Sequence, residues 1–192
     1  MTPLAVKLDL LDQEFLHICQ NKSVLEIGPF DGEISKLILR HRPKHVFLLE
    51  AAEFASQRLR GMFVDKDVTV VHGDMHMDLV SIGAVDVVVA LGVIYHSPAP
   101  LWLLERIVNV CQPKYLVIDN PGNWLNVLDE IPNIPGMRYL INNDRSCNMI
   151  MTIDENILVK AIANLDYALV KRSKYPDNSL SSNIPIYCFE HV

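Results

Sequence analysis

The segment Val24-Leu25-Glu26-Ile27-Gly28-Pro29-Phe30-Asp31-Gly32 decides the fold of this chain. Residues 24–27 form an apolar, strand-like run that leads into a loop with two glycines, and a helical pattern begins directly after the loop. Glycine allows a tight turn and a close approach of a ligand, because it has no Cβ. A strand, a glycine loop and a helix in this order are typical of a cofactor-binding loop in an α/β protein.

Short runs rich in Val, Ile and Leu alternate with helical patterns on both sides of this segment. The runs predicted as strands are 23–27, 45–50, 68–72, 86–90 and 115–119, and the predicted helices are 33–40, 52–61 and 100–109. Strands this apolar are expected where a parallel sheet is buried on both faces. We therefore predict an α/β fold, a doubly wound sheet with helices on both faces.

The two ends of the chain add to this sheet. Apolar residues at helical spacing predict an N-terminal helix over about 4–19. The runs 168–172 and 184–190 are separated by a polar Pro/Asn/Ser loop and not by a helix, so they are predicted to pair as a C-terminal antiparallel hairpin. The sheet then has seven strands, mostly parallel.

One segment interrupts the alternation. Residues 120–151 contain prolines and glycines but no sustained period, and we predict an insertion or lid with one short helix. Thr152 and Glu155 form a capping box that predicts a helix running to about Asn164.

Composition limits the class of protein. The chain has 192 residues, of which 50% are hydrophobic and 21% charged, as expected for a single domain over 1–192. Apolar runs fall short of the roughly 20 residues of a membrane span, and charges break the N-terminal apolar pattern, so we expect a cytoplasmic protein. The net charge of −6 disfavours broad nucleic-acid binding. The four cysteines lie far apart without a CxxC pair and are predicted to be free thiols: Cys19, Cys111, Cys147 and Cys188.

The glycine loop distinguishes two classes of cofactor. A dinucleotide fingerprint needs glycines where this chain has Gly28, Phe30 and Glu33, so two of three are missing. The acids Glu26, Asp31 and Glu33 surround the turn, which disfavours a pyrophosphate and favours a cofactor that carries an ammonium and a sulfonium.

The same run resembles the first motif of the class I S-adenosylmethionine-dependent methyltransferases, E/D-x-G-x-G-x-G. Glu26, Gly28 and Gly32 match the motif, while Phe30 stands where the family has its middle glycine. The resemblance implies S-adenosylmethionine as the cofactor and places the ring of Phe30 over or beside its methionine part. The cofactor-binding residues implied along the chain are Glu26, Gly28, Pro29, Phe30, Asp31, Gly32, Glu50, Ala51, Asp74, Met75, Leu91 and Gly92.

Glu50 and the segment 72–75 each allow a second interpretation besides cofactor binding. Glu50 ends the second strand about twenty residues beyond the loop, where a carboxylate can accept from a ribose diol, although it could equally cap the next helix. The segment 72–75 resembles the family's adenine site, with Asp74 and Met75 as ligands, but a simple Gly-Asp turn is the alternative. A metal site would use the ligand-type residues His72, Asp74, His76 and Asp78, which strand geometry is expected to scatter.

The fourth strand ends at Leu91-Gly92 and is followed by Tyr95 and His96. We predict Tyr95 and His96 as general bases or acceptor-orienting groups, because histidine titrates near neutrality; a helix-capping role for His96 is the alternative. The run 92–96 also resembles a branch that includes the wobble-uridine modifying enzymes of transfer RNA. Asp119-Asn120 resembles the metal-binding pair of catechol-type methyltransferases, but Leu91 stands where those enzymes have a further acid, so no metal is predicted.

The predicted function is methyl transfer by in-line displacement to an acceptor bound between the loops after the fourth and fifth strands. Segment 120–151 and the N-terminal helix would roof that pocket. Candidate acceptor contacts are Trp124, Arg138, Tyr139 and Arg145. A small-molecule acceptor suits the acidic chain best. The alternatives are a tRNA-modifying methyltransferase and a non-catalytic cofactor-binding protein of the same fold.

Overall fold

The computed structural model describes residues 3–64, 66–120, 130–134, 137–140, 150–173 and 184–192. The helices are α1 (Pro3–Glu14), α2 (Glu33–Arg40), α3 (Glu53–Met62), α4 (Pro100–Cys111) and α5 (Glu155–Ala163). The strands are β1 (Ser23–Ile27), β2 (His45–Glu50), β3 (Val68–His72), β4 (Val87–Ala90), β5 (Tyr115–Asp119), β6 (Glu130–Ile134), β7 (Met137–Leu140), β8 (Ile150–Ile153), β9 (Tyr167–Arg172) and β10 (Ile186–His191). Short 3₁₀ turns lie at Leu16–Cys19, Asp78–Ser81 and Ile94–His96.

A seven-stranded sheet forms the centre of the molecule, in the order β3-β2-β1-β4-β5-β10-β9. The first five strands are parallel, while β10 is antiparallel to both β5 and β9. The predicted mostly parallel sheet with a C-terminal antiparallel hairpin is confirmed. Strand β1 pairs with β2 on one side and with β4 on the other, so the strand order reverses at β1, and open α/β sheets bind ligands at such a point.

Side chains alternate between two apolar cores, one on each face of the sheet. Along β4, Val88 and Ala90 enter the core that holds α4 and α5, while Val87 and Val89 enter the core that holds α1, α2 and α3. Burial on both faces is the reason that these strands are uniformly apolar. Helices on both faces are thus confirmed.

The segment predicted as an insertion contains a second, three-stranded antiparallel sheet in the order β6-β7-β8. A short helix was the expectation; the described parts are strands instead, and residues 121–129, 135–136 and 141–149 lie outside the description. Pro132 lies where the β6–β7 register is irregular, between Ile131 and Ile134. Proline cannot donate to a strand ladder, so its presence hid a strand pattern.

Two helix ends differ from the prediction. The N-terminal helix is not continuous over 4–19, because α1 ends at Glu14 and the chain tightens into a 3₁₀ turn that buries Leu16 and Cys19. Helix α5 is capped by Asp154, whose side chain accepts from the Asn156 N–H, and Thr152 lies in β8. The predicted Thr-x-x-Glu box is therefore wrong, because the helix begins at Glu155 and its N-cap is Asp154, two residues after Thr152.

Within the described ranges, none of the helices combines the length and the apolar character that crossing a membrane requires.

Candidate active site

A cavity of about 340 Å³ opens at the carboxyl ends of β1, β2, β3 and β4. Its volume lies within the usual range for small-molecule sites. The lining residues are Ile27, Gly28, Phe30, Leu49, Glu50, Ala51, Gly73, Asp74, Met75, Gly92, Val93 and His96. The cavity thus lies where the strand order reverses, and four separate loops contribute to it.

Gly28 lines the cavity directly after β1. Its backbone has φ +69°, and its N–H donates to the Leu49 carbonyl at 2.9 Å, which continues the ladder with β2. A Cβ at this position would lie 2.7 Å from Val93 Cγ2. Both the left-handed backbone and the close approach of Val93 therefore require glycine here.

Phe30 adopts a backbone conformation that normally belongs to glycine, with φ +43°. Its N–H donates to Glu50 Oε2 at 3.0 Å, and the Arg58 guanidinium donates to its carbonyl. The ring makes an edge contact with Phe54 and lies 5.6 Å from the Arg58 guanidinium carbon, and it is 55% exposed. These contacts offset the roughly 1–2 kcal/mol that a left-handed backbone costs.

Glu26 is turned away from the cavity and is 2% exposed. Ser35 Oγ donates to its Oε2 at 2.5 Å. Burial raises the pKa of Glu26 to about 8, the charges of Asp31 and Glu50 act in the same direction, and the bond from Ser35 opposes them. At neutral pH the Glu26 carboxyl is therefore mostly protonated.

Glu50 joins two of the loops that line the cavity. Its Oε2 accepts from the Phe30 N–H, and its Oε1 accepts from the Ala52 N–H at 2.8 Å. Each carboxylate oxygen has two lone pairs, so each retains one for a ligand. Ala52 is itself the N-cap residue of α3 and that helix has no side-chain cap, so the capping alternative for Glu50 is wrong, and its ligand role stays a prediction.

The loop after β3 turns sharply at Gly73, where a Cβ would lie 2.7 Å from Asp78 Oδ2. Asp78 Oδ2 accepts from the Asp74 N–H at 2.7 Å, which fixes the backbone at Asp74, one of the residues that line the cavity. His72 binds the Ala51 carbonyl at 3.1 Å instead. Across the residues that the structure describes, no cluster of three or more His, Cys, Asp or Glu side chains is arranged to hold a metal ion.

Asp119 at the end of β5 holds the loop after β4 in place. It is fully buried, its Oδ1 accepts from the Gly92 N–H at 2.7 Å, and its Oδ2 lies 2.9 Å from Lys7 Nζ. The next residue, Asn120, donates from Nδ2 to the Ile153 carbonyl at 2.7 Å. Helix α1 and strand β8 are thus both fastened to the carboxyl end of β5.

Tyr95 and His96 lie in the 3₁₀ turn after β4, against which β8 packs. Their rings are 4.5 Å apart between centroids. His96 reaches the cavity, and desolvation lowers its pKa below the ordinary value, with the charge of Asp119 opposing. The imidazole is therefore neutral at physiological pH, which is the form that can accept a proton.

The structure brings together most of the residues predicted from the sequence. Gly28, Phe30, Glu50, Ala51, Asp74, Met75, Gly92 and His96 line the cavity, whereas Glu26, Pro29, Asp31, Gly32, Leu91 and Tyr95 do not. Pro29 and Leu91 are buried, and Asp31 Oδ1 accepts from the Glu33 N–H at 3.2 Å. Lining residues that were not predicted are Ile27, Leu49, Gly73 and Val93; each is next in sequence to a predicted one, which is the only signal that could have found them.

The charge around the glycine loop differs from the prediction. Glu26 is mostly neutral, Glu33 pairs with Lys36 at 2.5 Å, and Arg58 reaches the loop from α3. The argument against a pyrophosphate therefore rests on Phe30, which occupies a glycine position, and on a cavity wall that carries Glu50 and Asp74.

Four candidate acceptor contacts and one cysteine lie beyond the described side chains. Trp124, Arg145 and Cys147 are outside the described residues, and only the backbone of Arg138 and Tyr139 is described, in β7. The described cysteines, Cys19, Cys111 and Cys188, are buried and free, as predicted.

Replacing Lys7 by methionine is expected to reduce the free energy of unfolding by about 3 kcal/mol, because it leaves the buried Asp119 carboxylate without its counter-charge. Urea unfolding near neutral pH measures the change, and Lys7→Met/Asp119→Asn should recover most of it. Lys36→Met is the control, since its pair with Glu33 is exposed and contributes less than about 1 kcal/mol. Equal losses in the two single variants would contradict the assigned role of Lys7.

Comparison with known proteins gives structural relatives. No family model and no curated protein sequence matches the chain. The fold is similar to an S-adenosylmethionine-dependent methyltransferase from Mesorhizobium loti, with a TM-score of 0.69 and 10% identity over 91% of this chain and 93% of that one. It is also similar to the CcbJ methyltransferase from Streptomyces caelestis, with a TM-score of 0.67 and 12% identity over 100% and 97%.

A third similar structure is magnesium protoporphyrin IX methyltransferase from Synechocystis PCC 6803 with bound SAH. Its TM-score is 0.64 at 14% identity, over 99% of this chain and 82% of that one. The resemblance inferred from the loop after β1 is confirmed at the level of the fold. The chain has the fold of the class I S-adenosylmethionine-dependent methyltransferases.

Proposed function

We propose that this protein is an enzyme that binds S-adenosylmethionine and transfers its methyl group to a small-molecule acceptor. The cavity at the carboxyl ends of β1 to β4 carries the proposal, because it combines a glycine turn, the Glu50 carboxylate, Asp74 with Met75, and a neutral His96 in one space. We retain the predictions of a single domain and a cytoplasmic location as parts of the proposal.

The cavity residues fit the cofactor part by part. Glu50 has lone pairs for the ribose diol, and Asp74 Oδ2 is bonded to no protein group in the described part of the chain, which leaves an acceptor for the adenine amine. The turns at Gly28 and Gly92 would face the methionine part. The contacts of Phe30 with α3 favour a position of its ring beside the ribose, although the sequence resemblance places it beside the methionine part.

When bound, S-adenosylmethionine would supply an activated methyl group on a sulfonium, for in-line displacement by the acceptor in which the C–S electron pair would return to sulfur. The protein aligns the acceptor and excludes water. His96 would accept the proton released by a hydroxyl or amine acceptor. Tyr95 does not line the cavity, but its ring centroid lies 4.5 Å from that of His96, and we keep it as a predicted acceptor-orienting residue. A carboxylate acceptor would need no base.

The acceptor class is tested with methyl-tritiated S-adenosylmethionine. The protein is incubated with a low-molecular-weight metabolite fraction and, separately, with total tRNA. We expect label in the small-molecule fraction. Label in tRNA would replace the proposed acceptor class by the tRNA alternative, and binding of S-adenosylmethionine without transfer to either pool would favour the non-catalytic alternative.

Glu50→Gln is expected to weaken binding of S-adenosylhomocysteine by about tenfold to a hundredfold. The amide keeps one acceptor oxygen but sets an NH₂ group against a backbone N–H of Phe30 or Ala52, and it loses charge-assisted bonds to the ribose. Titration calorimetry measures the change. Adenine serves as the control ligand, because it lacks the ribose and should lose much less affinity; an equal loss for both ligands would contradict a role in binding the ribose.

A further inference from the structure

Three side chains form a hydrogen-bonded series beside the cavity, Asp74, His76 and Ser97. Asp74 Oδ1 lies 3.0 Å from His76 Nδ1, and the same oxygen accepts from the His76 backbone N–H at 2.7 Å. On the other side of the ring, His76 Nε2 lies 2.9 Å from Ser97 Oγ. The series therefore joins the loop after β3 to the loop after β4.

The bonds of this series have one consistent direction. A carboxylate only accepts, so His76 Nδ1–H donates to Asp74 in the neutral imidazole, and Nε2 is then an acceptor. With Nε2 as the acceptor, Ser97 donates its hydroxyl proton to it, while the Ser97 oxygen accepts from the Ala99 N–H at 3.1 Å. Each member thus has a partner that matches its chemistry.

The imidazole of His76 is held from a further direction by α4. Its ring stacks on Trp102 with 6.0 Å between centroids and 12° between planes. Trp102 is contacted in turn by Arg106, whose guanidinium carbon lies 5.7 Å from the centroid of the Trp102 ring. This contact restrains the tilt of the imidazole, whose two nitrogens bond to different loops.

A nucleophilic role for Ser97 does not fit the structure, although the order of groups is that of a hydrolytic triad. Ser97 is 1% exposed, and it is not among the residues that line the cavity. A substrate could not reach its oxygen. The three side chains can therefore position the loops that they join, but they cannot attack a substrate.

We propose that His76 is a positioning residue that couples occupation of the adenine end of the cavity to the loop that carries Tyr95 and His96. The inference rests on the proposed cofactor. By holding Asp74 Oδ1 twice, His76 directs Oδ2 to the adenine amine. Through Ser97, the residue after His96, it sets the start of α4 and the turn that presents His96 to the cavity.

The first test is a cycle of variants measured by titration with S-adenosylhomocysteine. Ser97→Ala should weaken binding about threefold although Ser97 lines no part of the cavity, and in a His76→Phe background, which retains the stacking on Trp102, it should have no further effect. Ser56→Ala is the matched control, since Ser56 is equally buried but bonds the Glu53 carbonyl in α3. Wild-type affinity in Ser97→Ala, or the same loss in both backgrounds, would overturn the coupling.

The second test uses adenosine, which lacks the methionine part. In the wild type, adenosine should shift the nuclear magnetic resonance signal of the backbone amide of Ala99, which donates to Ser97 Oγ and does not line the cavity; in His76→Phe adenosine should bind more weakly and leave that signal unchanged. A shift that persists at saturation in His76→Phe overturns the proposal. Binding that is indifferent to His76 and Ser97 overturns this inference alone, whereas a wild type that binds neither S-adenosylhomocysteine nor adenosine overturns the proposed function with it.

Discussion

Gly28→Arg is expected to abolish measurable binding of S-adenosylhomocysteine, a loss of at least about a hundredfold in affinity. Even a Cβ at this position would lie 2.7 Å from Val93 Cγ2, and the remainder of an arginine side chain has only the cavity to enter. Its positive charge would also face the sulfonium of the natural cofactor. Titration calorimetry on the folded variant, with its unfolding temperature recorded beside it, measures the effect.

The control for this variant is Gly83→Arg. Gly83 has nearly the same backbone, φ +74° against φ +69° for Gly28, but nothing lies within 4 Å of a Cβ built on it. Both variants bear a left-handed backbone that costs roughly 1–2 kcal/mol, so the strain is matched and only the loss of space differs. Binding retained in Gly28→Arg, or lost equally in Gly83→Arg, would mean that the cavity beside Gly28 is not the ligand site.

The wild type is expected to lose several kcal/mol of stability between about pH 5 and about pH 9 because of Glu26. Burial raises its pKa to about 8 in the folded chain, so the folded state keeps a proton that the unfolded state releases above about pH 4.5. The contribution of Glu26 to the free energy of unfolding is therefore fully present below about pH 4.5. It declines by about 1.4 kcal/mol per pH unit above that value, until the folded carboxyl ionises near pH 8.

Glu26→Gln should remove this part of the pH dependence, because an amide keeps the bond from Ser35 Oγ and has no proton to lose. Urea unfolding of both proteins across the range measures the difference, and the variant should be the more stable one above about pH 7. Glu33→Gln is the control, as Glu33 is exposed and pairs with Lys36. Parallel pH profiles for wild type and Glu26→Gln would show that Glu26 is ionised in the folded chain.

Much of the sheet could be predicted because local pattern and burial agree there. Strands such as β4 are apolar at every position since both faces are covered, and that pattern needs no knowledge of partners. The loops at the carboxyl ends of parallel strands then meet by topology. Topology therefore places Glu50 and His96 at one edge of the sheet, and the resemblance to the methyltransferase family adds Gly28 and Asp74 to the same site although the four are far apart in sequence.

Contacts between distant segments could not be predicted. Lys7 and Asp119 are 112 residues apart, and no local pattern indicates that an ammonium from α1 reaches the end of β5. Arg58 at the Phe30 carbonyl and His76 at Ser97 are of the same kind. The second sheet was missed because Pro132 interrupts β6 and because its strands pair with each other and not with the main sheet.

Charge was the least predictable property of the site. From the sequence, Glu26 counts as a negative charge beside the cofactor loop, but desolvation depends on the packing around it and leaves the carboxyl mostly neutral. Desolvation lowers the pKa of His96 and so also favours its neutral form, which can accept a proton. The cofactor preference therefore rests on shape, through Phe30 and Gly28, more than on the acidic residues of the loop.

Titration calorimetry of the wild type with S-adenosylhomocysteine, S-adenosylmethionine and NAD tests the central claim most directly. The cavity at the point where the strand order reverses should bind both sulfur compounds with one site per chain and micromolar affinity or better, and NAD should give no binding heat. Folded protein that binds neither sulfur compound, or that binds NAD more tightly than either, would contradict it.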